Sequence, residues 1–195
     1  MKHDEVLRHF REAGALLEGH FILSSGLHSP IYLQCARVLM NARRAETLCR
    51  ALAANIRDGL GDKIDMVVAP AMGGVIVGYE LGRQLGLPSI FAERVEGAFA
   101  LRRGFEVPQG ARVIICEDII TTGLSSRECI NCVEANGGKV VGVACLIDRS
   151  GGRADLGVPL FSLTRLDIPT YEPTAVPPEL AKIPATKPGS RGLKA

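Results

Sequence analysis

The chain contains no tryptophan, and only 5% of its 195 residues are aromatic. That scarcity argues against nucleic-acid binding by base stacking, which depends on aromatic platforms. Long hydrophobic runs are missing as well. No apolar stretch approaches the roughly 20 residues of a membrane span. Strong charge of one sign is also absent. The net charge of +2 demands neither nucleic acid nor an anionic membrane as partner. The first six residues, Met1-Lys2-His3-Asp4-Glu5-Val6, read as a charged helix start and lack a signal peptide's apolar stretch, which predicts a cytoplasmic protein. Internal repeats and a His/Asp/Glu cluster of metal-ligand spacing are absent too. The length suits one domain with a core large enough to need no staples.

What is present is alternation. Val6, Leu7, Phe10, Leu16 and Leu17 predict an amphipathic first helix ending near Gly19. A segment rich in Gly, Ser, His and Pro follows to Pro30, and then a short strand, Ile31 to Leu33. Leu48, Cys49, Leu52, Ala53 and Ile56 recur at helical spacing, closed by Gly59 and Gly61. Strands are predicted at 64–68, 89–92, 139–147 and 160–163, with a helix over 75–85. Strands alternating with helices imply an α/β fold, a parallel sheet with helices on both faces. Six cysteines (35, 49, 116, 129, 132 and 145) fall mostly in apolar segments, as free thiols do in a reducing compartment. Cys129 and Cys132 have Cys-x-x-Cys spacing, but without a second pair or a nearby His they read as packing residues. The proline-rich tail after Thr170 suits neither a helix nor a central strand and is expected to wrap the surface or stay partly disordered.

Residues 113–126, Val-Ile-Ile-Cys-Glu-Asp-Ile-Ile-Thr-Thr-Gly-Leu-Ser-Ser, carry the chemistry. An apolar strand ends in two adjacent carboxylates, Glu117 and Asp118. A small hydroxyl-rich turn then opens a helix predicted over 126–135. Backbone N–H groups at a helix start, with Gly123 allowing close approach, form an anion cradle. Thr121, Thr122 and Ser125 add hydroxyl donors. The carboxylates lie within reach of sugar hydroxyls, so a ribose 5-phosphate fits. A plain buried strand with an ordinary N-capped helix also matches the pattern, but leaves the paired carboxylates without a use. A second glycine loop, Ala71-Met72-Gly73-Gly74, follows the strand at 64–68. It too lies at a strand's carboxyl end, where ligands bind in such sheets, and it is neither a Walker A nor a dinucleotide motif.

The stretch from Glu117 through Ile119, Ile120 and Leu124 to Ser125 resembles the phosphoribosyl-pyrophosphate (PRPP) signature of the type I phosphoribosyltransferases. The resemblance implies that Glu117 and Asp118 hold the ribose hydroxyls and that residues 121–125 hold the 5′-phosphate. Leu124 stands where the common form has a second glycine. Ala71–Gly74 matches the family's pyrophosphate loop, with a non-proline cis peptide implied near Ala71–Met72. Residues 19–32, Gly-His-Phe-Ile-Leu-Ser-Ser-Gly-Leu-His-Ser-Pro-Ile-Tyr, resemble the hood of the bacterial-type orotate phosphoribosyltransferases. That similarity continues through Phe91–Arg94, Leu101–Phe105, Asp148-Arg149 and the terminal Lys-Pro-Gly-Ser-Arg.

The family likeness implies one domain over 1–195, with a hood over about 1–40, a core over about 41–170 and the tail beyond. It implies transfer of phosphoribose from PRPP to orotate, with Mg²⁺ held mainly by substrate and water. It further implies a homodimer in which a mobile arm, 95–108, closes over the neighbouring site. Arg149 becomes the clamp for the orotate carboxylate, with Thr121, Tyr32 and Ser24 near the base. Arg94 matches the arm's base and would serve catalysis and pyrophosphate. Lysines of some relatives are replaced here by Ser24, Met72, Val95 and Ala98, so the arm's basic work is assigned to Arg102 and Arg103. His28 is given no role. Two alternatives remain open on the residues: a purine-base phosphoribosyltransferase, and a PRPP-binding regulator without catalysis. The second lacks a visible nucleic-acid-binding segment.

Overall fold

The computed structural model describes residues 1–23 and 25–188. Helix α1 (His3–Glu12) buries Val6, Leu7 and Phe10. It stops earlier than the periodicity predicts, because Gly14 turns into the left-handed region at φ 58°. Leu16 and Leu17 therefore belong to a strand, β1 (Leu16–Ile22), and not to the helix. It pairs antiparallel with β2 (His28–Leu33) in a two-stranded sheet of its own. Short α2 (Cys35–Leu39) and long α3 (Ala42–Leu60) follow, and Gly61 caps α3 while Gly59 lies within it.

The main sheet has the order β5-β4-β3-β6-β7-β8. Its members are β3 (Met66–Pro70), β4 (Ser89–Val95), β5 (Ala98–Leu101), β6 (Arg112–Ile120), β7 (Lys139–Asp148) and β8 (Leu160–Arg165). All neighbours pair parallel except edge strand β5, which runs antiparallel to β4. The expected parallel sheet with helices on both faces is thus present. Alternation along β6 divides the core: Ile114 and Cys116 pack with α3, whereas Val113 and Ile115 pack with the opposite layer.

Helix α4 (Gly73–Leu85) lies unusually close to the sheet. A Cβ at Gly78 would fall 2.6 Å from Ala69 Cβ, and one at Gly82 2.8 Å from Ser89 Cβ. Three glycines four residues apart (74, 78 and 82) thus set the start of α4 directly against the end of β3. Helix α5 (Leu124–Ala135) crosses the other face from the end of β6. Both α4 and α5 begin two residues earlier than their hydrophobic patterns predict, so the loops before them are tighter.

The tail wraps the hood hairpin over its described part. Tyr171 exchanges both backbone hydrogen bonds with His28, while Ile22 N–H donates to Thr186 O and Thr186 N–H to His20 O. His20, buried, pairs one ring nitrogen with Ile183 O at 2.9 Å and the other with His28. One turn of helix, α6 (Pro178–Ala181), spans the gap. The final Gly189-Ser190-Arg191 of the matched tail motif lies outside the described residues.

Candidate active site

Two loops meet at the carboxyl end of the sheet. The first joins β6 to α5. Gly123 sits there at φ +75°, and a Cβ would come within 2.7 Å of Leu156 Cδ2, so no larger residue fits without movement. Thr121, Thr122, Leu124 and Ser125 are exposed around it. The loop is braced by Arg127, whose Nη1 donates to Thr122 O at 3.1 Å and to Asp155 O at 2.9 Å. Thr122 Oγ1 accepts from Leu124 N–H. The remaining N–H groups of the first turn of α5 have the orientation of an anion cradle. Leu124, 55% exposed, stands clear of the core. Ser126, in the same turn, is buried with its Oγ lacking a hydrogen-bond partner among the described residues.

The second loop joins β3 to α4, and its Ala71–Met72 peptide is cis. Gly73 lies against the first loop: a Cβ there would sit 3.1 Å from Asp118 Oδ1. Its companion Gly74 would place a Cβ 2.8 Å from Cys116 O. The glycines thus let the two loops share one cleft, with Asp118 between them.

The acidic pair is electrostatically loaded. Glu117 is buried, and desolvation together with the Asp118 carboxylate pushes its pKa up to about 8, against a smaller pull from Arg94. Asp118 is half-buried; burial raises it too, opposed by hydrogen bonds that include Ile119 N–H to Oδ1 at 2.8 Å. Burial thus favours the protonated form of both acids, and donors or cations entering the site would draw them toward the carboxylate.

Arg149, just past β7, is 8% exposed. Burial lowers its pKa, and no carboxylate pairs with its guanidinium among the described residues. Its Nη2 donates to Ser29 Oγ on β2 at 2.8 Å, joining core to hood. The adjoining turn is rigid: fully buried Asp148 accepts from Ser150 N–H (2.8 Å), Ser150 Oγ (2.6 Å), Gly152 N–H (3.1 Å) and Arg165 Nε (3.1 Å). Tyr32, half-buried on the same hood strand, has its phenol pKa raised by burial, then by Cys35 and Asp118, and lowered by Arg149. It therefore lies within electrostatic reach of both Asp118 and the arginine. Ser24 lies outside the described residues.

The arm differs from the expected long connection. β4 runs to Val95, turns through Glu96 and Gly97, both at positive φ, and returns as β5. Arg94 is ion-paired with Glu128 on α5, donates to Gly97 O at 2.7 Å and stacks 4.3 Å over Phe99. Arg103 forks onto Glu93 at 2.9 and 3.0 Å. Arg102 is exposed and makes no ion pair among the described residues. The structure thus brings Glu117, Asp118, residues 121–125, Ala71–Gly74, Tyr32 and Arg149 around one cleft, while Arg94 and Arg103 are held by carboxylates. Sequence reading missed Ser29, Arg127, Glu128 and Asp148. Only Asp148 and Ser29 carried any signal, as members of quoted motifs. Among the described residues no three His, Cys, Asp or Glu side chains group to hold a metal ion.

A phosphoribosyl transferase domain model matches residues 38–167, spanning both loops and Arg149. The chain is 60% identical over 195 residues, the full length of both proteins, to an orotate phosphoribosyltransferase of Rhizorhabdus wittichii. It is 56% identical to that of Maricaulis maris over 99% of this chain and 100% of the other. A solved orotate phosphoribosyltransferase from Aeropyrum pernix superposes with a TM-score of 0.68 at 27% identity, covering 83% of this chain and 93% of its own. With cleft, fold and full-length similarity in agreement, the chain belongs to the phosphoribosyltransferase family, within its orotate phosphoribosyltransferase group.

Proposed function

We propose that this chain transfers the phosphoribosyl group of PRPP to N1 of orotate, giving orotidine 5′-monophosphate and pyrophosphate. One observation carries the choice of base: the buried Arg149 guanidinium has no carboxylate partner among the described residues. A buried cation of this kind calls for an anion, and a planar fork suits a carboxylate bidentately. Orotate bears one; a purine base does not.

The residue roles follow from position. Glu117 and Asp118 accept from the ribose 2′- and 3′-hydroxyls. The N–H groups and hydroxyls of residues 121–125 take the 5′-phosphate. Ala71, Met72, Gly73 and Gly74 border the pyrophosphate, and Tyr32 covers the base, with Thr121 between ring and phosphate. The C1–O bond to pyrophosphate breaks, its electrons leaving on pyrophosphate, while orotate N1 bonds to C1 from the opposite face with inversion and gives up its proton to solvent. Positive charge builds on the ribose as in glycosyl transfer, so the cleft's work is alignment and support of the departing anion. PRPP enters as its magnesium complex, the ion neutralising pyrophosphate charge and keeping water and substrate oxygens as ligands. Arg102, free of any carboxylate among the described residues, is the arm cation suited to pyrophosphate, whereas Arg94 and Arg103 serve after their partners Glu128 and Glu93 release them.

The protein works as a homodimer. Met72, Ile76 and Tyr79 lie along one line of α4, 83%, 50% and 67% exposed, and form an apolar face continuous with the pyrophosphate loop. The six unpaired cysteines suit a reducing cytosol.

Purified protein with PRPP, Mg²⁺ and orotate should consume orotate's ultraviolet absorbance, and Asp118→Asn should slow turnover by about a hundredfold, as loss of a buried charge-assisted contact does. PRPP binding without turnover of orotate or any purine base would overturn this reading in favour of a regulator.

A further inference from the structure

The hood hydroxyl of Ser29 touches the Arg149 guanidinium, and its surroundings fix how. Ser29 is fully buried. Its Oγ donates its one hydrogen to Ile31 O at 2.8 Å, within its own strand. With that donor used, only lone pairs remain to face Arg149 Nη2, which donates to them at 2.8 Å. A donor already committed to a carbonyl also polarises the oxygen and strengthens it as an acceptor. Pro30 holds Ser29 in extended backbone. On the other side, the Asp148 turn and the bond from Arg149 N–H to Ile120 O (2.7 Å) fix where the arginine leaves the sheet. Arg149 is therefore held at its backbone and at Nη2, and its guanidinium makes no ion pair among the described residues.

We propose that Ser29 is a positioning residue that determines specificity for a carboxylate-bearing base: it holds the Arg149 fork in the plane that receives the carboxylate. It touches neither ribose nor phosphate and acts through Arg149 alone. This inference rests on the orotate reading above. A hydroxyl that merely filled the core would affect all ligands equally, whereas a positioning hydroxyl affects only those that use the arginine.

The test compares wild type, Ser29→Ala, Arg149→Lys and the double variant, measuring KM for orotate and PRPP, kcat, and affinity for uracil, which lacks the carboxylate. Ser29→Ala should raise the orotate KM about tenfold, the scale of a lost hydrogen bond to a charged group. The PRPP KM, kcat and uracil affinity should stay within about twofold, and in the Arg149→Lys background the Ser29 change should add little. Equal weakening of orotate and uracil, or additive effects in the double variant, would overturn the proposal in favour of a structural role. An unchanged orotate KM in Ser29→Ala would overturn it as well. Should Ser29→Ala not fold, Ser29→Cys keeps the volume with a poorer acceptor and must show the same selective loss. Wild type that binds PRPP but ignores orotate would instead refute the orotate reading itself, an outcome separable from the others.

Discussion

Glu117 concentrates the site's energetics in one side chain. It lies near the carboxyl end of a buried strand, so the same placement that would bring its oxygens to the proposed ribose site removes them from water. Its pKa of about 8 lies above the ordinary 4.5, the burial penalty leading and Asp118 adding to it. The folded protein therefore holds a proton between roughly pH 4.5 and 8 that the unfolded chain releases. Stability accordingly falls as pH rises through that window, by on the order of 5 kcal/mol across it. Glu117→Gln removes the titration. In urea melts from pH 5 to 9, its stability should stay level where the wild type declines, and it should overtake the wild type above pH 8. A wild-type decline that survives the substitution would assign the proton to another group. Leu124 illustrates the opposite case at this scale: it departs from the common signature, yet it lies in the exposed first turn of α5, where its backbone N–H and not its side chain would serve the proposed cradle.

At the scale of elements, hood and tail form one unit. Residues 171–188 contribute both hydrogen bonds to His28 and a second pair to His20 and Ile22, on the hairpin that carries Ser29 and Tyr32. A chain ending at Thr170 should lose about 3 kcal/mol of stability, from several hydrogen bonds at about 1 kcal/mol each. Its orotate KM should rise well above the wild-type value while the PRPP KM changes little, because both PRPP loops belong to the core. Parallel losses for both substrates would show that the tail supports the whole fold. The two glycine loops at the carboxyl ends of β3 and β6 were legible in the sequence because glycine, hydroxyl and acid chemistry is local there, each motif read within ten residues. The sheet was legible through alternation of strand and helix. The hood hairpin was less so: Leu16 and Leu17 fall near the helical phase of Val6 and Phe10, and only the turn at Gly14 separates them. The arm's second strand, four residues long, gave too short a pattern to mark. Contacts such as Ser29 with Arg149, 120 residues apart, leave no local trace at all.

The whole molecule raises a question that no single subunit answers, namely whose arm serves whose site. Arg102 follows the last residue of β5, at the base of the edge hairpin and away from its Glu96–Gly97 turn, exposed and free of ion pairs among the described residues. The apolar line Met72, Ile76 and Tyr79 begins in the pyrophosphate loop itself, so a second copy seated on it would lie beside the cleft. Complementation decides between an arm serving its own cleft and one serving its neighbour's. Arg102→Ala and Asp118→Asn subunits, each nearly inactive alone, are mixed and allowed to exchange. In a mixed dimer the Arg102→Ala subunit keeps an intact acidic pair and receives an intact arm from its partner. Random exchange makes about one site in four whole, so activity should recover to about a quarter of wild type if arms act across the dimer. Arms acting within their own subunit would leave the mixture as inactive as its parts. Ile76→Asp, placing a charge on the apolar face, should abolish the recovery and reduce the mass in sedimentation from twice 20.8 kDa to that of one chain. Recovery that persists in Ile76→Asp would keep the cross-subunit arm but move the interface away from α4.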